Sequence, residues 1–104
     1  MIVRLLMATV KAERAGPFNA LMRSQLPILR RHPGLVHVKL ARRITGEVEE
    51  VMLFEEWRDT ASLYRWAGPE VTRPRLLPGA EDLVNDVSVV HYEALDIEPP
   101  ADDQ

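Results

Sequence analysis

The sequence contains no cysteine. That absence removes disulfides, thiolate metal sites, iron–sulfur clusters and cysteine nucleophiles, and it makes the cytoplasm the simplest location. There is no glycine-rich phosphate loop, no GxSxG, no Walker pattern and no dinucleotide fingerprint, so nucleotide-driven chemistry is not indicated. The three histidines, His32, His37 and His91, do not stand at helical ligand spacing and no His-Asp-Glu cluster appears, so no metal is expected. No apolar run is long enough to span a membrane. The opening MIVRLLMATVK carries Arg4, turns polar early and lacks the small-residue cleavage pattern of a secretion signal, so it reads as structure.

What is present is ordinary globular material. The 104 residues, 46% hydrophobic and 28% charged, suit one compact domain with its own core. The formal charge of −3 gives no general attraction to nucleic acid or anionic membrane. Four of the acids, Asp96, Glu98, Asp102 and Asp103, lie in the closing DIEPPADDQ. Two adjacent prolines and nothing large and apolar beyond Ile97 mark residues 96–104 as an acidic mobile tail, leaving 1–95 as the domain.

Residues 2–11, rich in branched and apolar side chains, read as a strand. Pro17 is placed as the first residue of a helix carrying Phe18, Leu21, Met22, Leu26 and Leu29 at helical spacing. Pro27 predicts a kink or early stop, and Pro33-Gly34 a terminator. Residues 35–44 alternate, with Val36, Val38, Leu40 and Ile44 on one face. Thr45-Gly46-Glu47 is turn chemistry, and 50–57 is a second strand of the hairpin. Asp59 or Thr60 caps a short helix bearing Leu63, Tyr64 and Trp66 that ends at Gly68. Residues 69–83 hold Pro69, Pro74, Pro78 and Gly79, predicting a loop with one or two helical turns around 71–77. Residues 86–95 form the last strand.

The order βαββαβ gives an α+β, ferredoxin-like domain: a four-stranded antiparallel sheet with both helices on one face. The first and third strands are apolar on both parities, with Val3, Leu5 and Met7, and Met52 and Phe54, opposite the core set. The uncovered face therefore calls for a homodimer in which two sheets pack face to face. Arg4 and Arg42 break the apolar parity of their strands and are expected to pair across that interface with carboxylates such as Glu55 or Glu93.

Together with this element order, Pro33-Gly34-Leu35 and the run Phe54-Glu55-Glu56-Trp57 leading into Asp59, Ala61, Leu63 and Trp66 resemble antibiotic biosynthesis monooxygenase-like domains of the dimeric α+β barrel superfamily, over about residues 2–95. The resemblance implies a small dimeric enzyme that needs no cofactor, in which the carbanion of a planar aromatic or quinol-type substrate reduces dioxygen while the protein orients it. Trp57 matches that branch's tryptophan, whereas Leu53 stands where it would carry an asparagine. The haem-degrading branch would further need an asparagine on the first strand and a histidine after the third; residues 1–11 hold no asparagine and residues 58–85 no histidine. Other readings of the same barrel are a non-catalytic ligand-binding or regulatory module, and an isomerase or cyclase working by proton transfer through His91.

The candidate catalytic residues are Trp57, Tyr64 and His91, and the candidate ligand-binding residues are Trp66, Arg73 and Arg75. Each tryptophan is either a flat wall for an aromatic ligand or core packing. Tyr64 offers a hydrogen bond to an oxyanion. His91, mid-strand on the parity of Val87 and Val89, is a general base or a satisfied structural imidazole. Arg73 and Arg75 belong to the irregular segment that would cover a pocket between the second helix and the sheet and counter an anionic substrate. His32 and His37 are read as structural.

Overall fold

The computed structural model describes residues 1–95, so the tail predicted for 96–104 lies outside the described residues. Strand β1 (Ile2–Lys11) runs directly into helix α1 (Ala12–Arg30). Strands β2 (Leu35–Thr45) and β3 (Val48–Trp57) form the hairpin, followed by helix α2 (Thr60–Ala67), a single 3-10 turn (Ala80–Asp82) and strand β4 (Asp86–Glu93). The sheet order is β2-β3-β1-β4 with every neighbouring pair antiparallel, the ferredoxin-like βαββαβ arrangement.

Alternation sorts the side chains. Leu6, Ala8 and Val10 of β1 and Val51, Leu53 and Trp57 of β3 are buried on one face with Phe18, Met22 and Leu29 of α1 and Leu63 and Trp66 of α2. Their partners in register on the other face, Leu5 with Phe54 and Met7 with Met52, are only half-buried. The helices thus cover one face, and Val90 and Tyr92 extend the apolar surface of the other at 42% and 56% exposure.

Four local expectations are corrected. Helix α1 begins at Ala12, five residues before Pro17. Ala12–Ala15 are good helix formers and Ala15 is buried, which outweighs the single bond that Pro17 forgoes to the carbonyl of Glu13. Pro27 does not stop the helix either, because Leu29 in the next turn is fully buried. In β2 the register slips between Leu35 and His37, so Val36 leaves the covered face, and Ile44 lies beyond the reach of the helices; the two are 40% and 64% exposed.

Residues 71–77 form no helix; one hydrogen-bonded turn, in which the Arg73 N–H donates to the Glu70 carbonyl at 3.0 Å, opens the segment, and the rest is irregular. Pro74 removes a backbone donor there, and the Arg4 side chain takes up the carbonyls of Val71 and Arg73 that a helix would have used.

Arg4 and Arg42, finally, do not face the open side of the sheet. They share the parity of Leu6 and of Leu40, point beneath the helices, and pair within the chain with Glu55 and Glu49.

Candidate functional site

Arg4 and Glu55 lie directly opposite each other in the β1–β3 ladder. Both side chains point into the covered face and are 1% and 2% exposed. Burying two charges is costly unless each finds partners. The guanidinium Nε sits 3.9 Å from Glu55 Oε1. Its terminal nitrogens donate to the carbonyls of Val71 at 2.6 Å and Arg73 at 3.0 Å, and one lies 2.9 Å from His91 Nε2. Glu55 Oε1 also accepts from the indole Nε1 of Trp57 at 2.9 Å, two residues along the same face of β3.

The electrostatics follow from burial. Desolvation pushes the Glu55 carboxyl above its ordinary value, and the Trp57 hydrogen bond and the Arg4 charge draw it part of the way back. Burial likewise lowers Arg4, against the pull of Glu55 and with the push of the nearby Arg75. His91 is lowered by desolvation first and by the Arg4 charge second. Since a guanidinium has only donors, the facing Nε2 of His91 accepts and its Nδ1 carries the proton.

Helix α2 supplies the second wall. Asp59 starts it by accepting from the backbone N–H of Ser62 at 2.8 Å, a contact that together with the Ser62 hydroxyl holds its carboxyl below the ordinary range. The cap fixes the rotation of the helix so that Ser62, Leu63 and Trp66 face inward. Arg75 lies over the Trp66 ring, 4.3 Å from its centroid, and donates to the Trp66 carbonyl. His32 sits edge-on to both tryptophans, 6.4 Å from Trp57 and 4.9 Å from Trp66.

The structure thus brings together Trp57, Trp66, His91 and Arg75. It does not bring in the other two candidates: Tyr64 is 44% exposed on the outer face of α2, and the Arg73 side chain turns outward to Glu70 at 3.1 Å, offering the site only its carbonyl. The space between α2 and the sheet is filled by Trp57, Trp66, Leu63 and Arg4, each 3% exposed or less. A cleft of about 540 Å³ opens instead between α1 and β2. Among the described residues no three His, Asp or Glu side chains converge as a metal site, and no helix is long and apolar enough to cross a membrane.

Sequence reasoning missed Glu55 as a site residue and misplaced Arg4. A signal was available, since each is the one charged residue among buried apolar neighbours of its parity at that end of its strand. For His32 there was none, because its place between the tryptophans depends on how the α1–β2 turn meets α2.

The model of the family described as antibiotic biosynthesis monooxygenase matches residues 1–71. No curated protein sequence matches the chain. Among solved structures, the chain is similar to a Deinococcus radiodurans protein named for that family, with 17% identity, coverage of 96% of this chain and 98% of that one, and a TM-score of 0.75. A Mycobacterium tuberculosis protein shows 18% identity, 94% and 98% coverage and a TM-score of 0.73. One from Nitrosomonas europaea, named like the first, shows 16% identity, 92% and 100% coverage and a TM-score of 0.71.

Proposed function

The chain belongs to the antibiotic biosynthesis monooxygenase family, and on that premise we propose that it is a small, dimeric, cofactor-independent monooxygenase-like enzyme acting on a planar aromatic or polyketide- or quinol-type molecule. The observation that carries this reading is the stack of Arg75 on Trp66 beside the buried Arg4–Glu55–Trp57 network. A flat conjugated ligand makes the same kind of contact with the indole as the flat guanidinium does. As Arg75 swings away, the Trp66 face becomes the stacking wall and the freed cation pairs with the substrate's enolate or phenolate oxygen. The Nδ1–H of His91 donates to the same developing charge, and Trp57 forms the floor held by Glu55.

The chemistry balances without an added reductant. The substrate loses one proton to give a carbanion, which passes electrons to dioxygen and forms a C–O bond to a hydroperoxide. The first proton returns to the peroxide to make that hydroperoxide; loss of the second C–H proton with cleavage of the O–O bond then leaves a carbonyl and expels hydroxide, which takes up the second proton as water. The net change is CH2 plus O2 to C=O plus H2O. In the same proposal a second copy seats its sheet on the open face, covering Leu5, Met7, Met52 and Phe54, which are half-buried in one chain.

The test is oxygen uptake with an anthrone or hydroquinone, in parent, Trp57→Phe, Trp66→Ala and Tyr64→Phe proteins, with sedimentation mass at micromolar concentration. Uptake lowered at least tenfold by the tryptophan changes, in a particle of two chains, is expected. Full activity after these changes, or a mass of one chain, overturns the corresponding part.

A second reading is favoured by one residue. Leu53, 1% exposed, stands four positions before Trp57 and supplies no polar group there, which suits a ligand-binding module without turnover. Tight binding of the same compounds with no oxygen uptake decides for it.

A further inference from the structure

Residues 14–46 contain seven arginines and lysines and not one aspartate or glutamate, in a chain whose net charge is −3. This acid-free stretch is α1 after its first residues, the turn, and β2. On α1, Asn19, Arg23, Leu26 and Arg30 recur at helical spacing and form one stripe. It faces the outer strand of the sheet across the cleft of about 540 Å³, which Lys39 and Arg42 also line. The floor is apolar, made by Leu26 with Val38 and Leu40.

The charges in this cleft are unequally compensated. Buried Glu49 accepts from Asn19 at 2.6 Å and from Arg42 at 3.2 Å, anchoring those two side chains. Arg23, Arg30 and Lys39 make no ion pair among the described residues. Arg23 and Arg30 stand exposed beside the apolar floor with no carboxylate for an incoming anion to displace, whereas Lys39, in register with Phe54, shares the parity of the open face.

We propose that the α1–β2 cleft is a binding site for a small organic anion with an apolar body, of the aryl or alkyl carboxylate class. The volume falls in the range of small-molecule sites, roughly 300–1,000 Å³. Arg23 and Arg30 lie about 10 Å apart along the helix, at 1.5 Å per residue, so they bracket one carboxylate-bearing molecule lying on Leu26 and not a long strand. No aromatic side chain lines the cleft, which leaves it without the stacking platforms that single-stranded nucleic acid uses. The site is separate from the reaction proposed above. β2 and the His91-bearing β4 are opposite edges of the sheet, so failure of either reading leaves the other standing.

The test is an NMR titration of the ¹⁵N-labelled full chain with 2-naphthoate, and with uncharged 2-naphthalenemethanol as control. Saturable shifts at Leu26, Val38 and Leu40 with naphthoate are expected, with binding at least tenfold weaker in Arg23→Glu/Arg30→Glu. The charge-matched Arg14→Glu/Arg31→Glu, outside the cleft, stays within twofold of the parent. If the first double variant fails to fold by circular dichroism, the single Arg23→Gln and Arg30→Gln changes carry the test and each weakens binding at least threefold. Equal affinity for the alcohol, equal loss in the charge-matched variant, or shifts confined to Met52 and Phe54 or to Trp66 overturn the proposal. So does a short single-stranded oligonucleotide that displaces naphthoate at lower concentration than naphthoate itself requires.

Discussion

Arg4 and Glu55 occupy facing positions on two central strands, both shut away from water, yet their closest charged atoms are 3.9 Å apart. The geometry shows that the pair is held by its other partners as much as by direct attraction: Arg4 by three groups on the 69–79 segment and β4, and Glu55 by Trp57. Replacing Arg4 by Met leaves Glu55 buried without its cation and frees two carbonyls. The expected loss in urea unfolding is about 3–5 kcal/mol. Glu55→Gln, which keeps an acceptor for the indole, costs less, about 1–2 kcal/mol. Because the two share a network, the double variant falls short of the sum by roughly 0.5–3 kcal/mol; strict additivity would show that they do not interact.

His91 makes stability depend on pH. Its folded-state value lies below the ordinary 6.5, chiefly through desolvation. Between those two values the unfolded chain binds more protons, so the His91 contribution is complete above pH 6.5 and is lost as pH falls through the folded value. Glu55 acts in the opposite sense. Its raised folded value makes its contribution greatest below 4.5 and reduces it as pH rises through that folded value. The measurement is therefore a difference: urea midpoints of parent minus His91→Gln, from pH 5 to 7.5, should rise with pH. A flat difference would sink the assignment.

Gly34 has φ +94°, and a Cβ there would overlap the Oγ and Cβ of Ser62. Its carbonyl also accepts from the Arg58 N–H at 2.7 Å, tying the α1–β2 turn to the start of α2. Gly34→Ala combines backbone strain with overpacking, at an expected cost of about 2–5 kcal/mol. Pairing it with Ser62→Gly relieves the overlap but not the dihedral, so about half the loss is recovered in thermal unfolding. No recovery would place the whole cost in the backbone.

Gln25 is 2% exposed on the buried face of α1, and its Oε1 has no hydrogen-bond partner among the described residues. Gln25→Met keeps the length and removes the unsatisfied oxygen, so a gain of about 1–2 kcal/mol in urea unfolding is expected. A loss of stability would mean that the amide is satisfied in solution.

The strands, the hairpin, the Asp59 cap and the two-sided apolar character of β1 and β3 were readable in the sequence, because each depends on neighbours within a few residues. Alternation and turn chemistry survive the loss of all tertiary information. The same locality misled at Pro17 and Pro27. Propensity there argued for boundaries, and burial of Ala15, Phe18 and Leu29 overrode it.

The sequence pattern placed Trp57 at the end of β3 and Trp66 near the end of α2, and put His91 on the parity of Val87 and Val89. Only the sheet order could bring β4 alongside β1, so that Arg4 meets His91 from one side and Glu55 from the other. The 69–79 segment shows the division most plainly. Its prolines announced an irregular stretch, but whether its carbonyls would bond to one another or to a guanidinium 67 residues away was a matter of long-range geometry. The sequence by itself determined which residues alternate, turn and cap, since those are short-range properties of the backbone. The tertiary structure decided which buried charges find each other, because a charge removed from water is stable only where distant parts of the chain supply its partners.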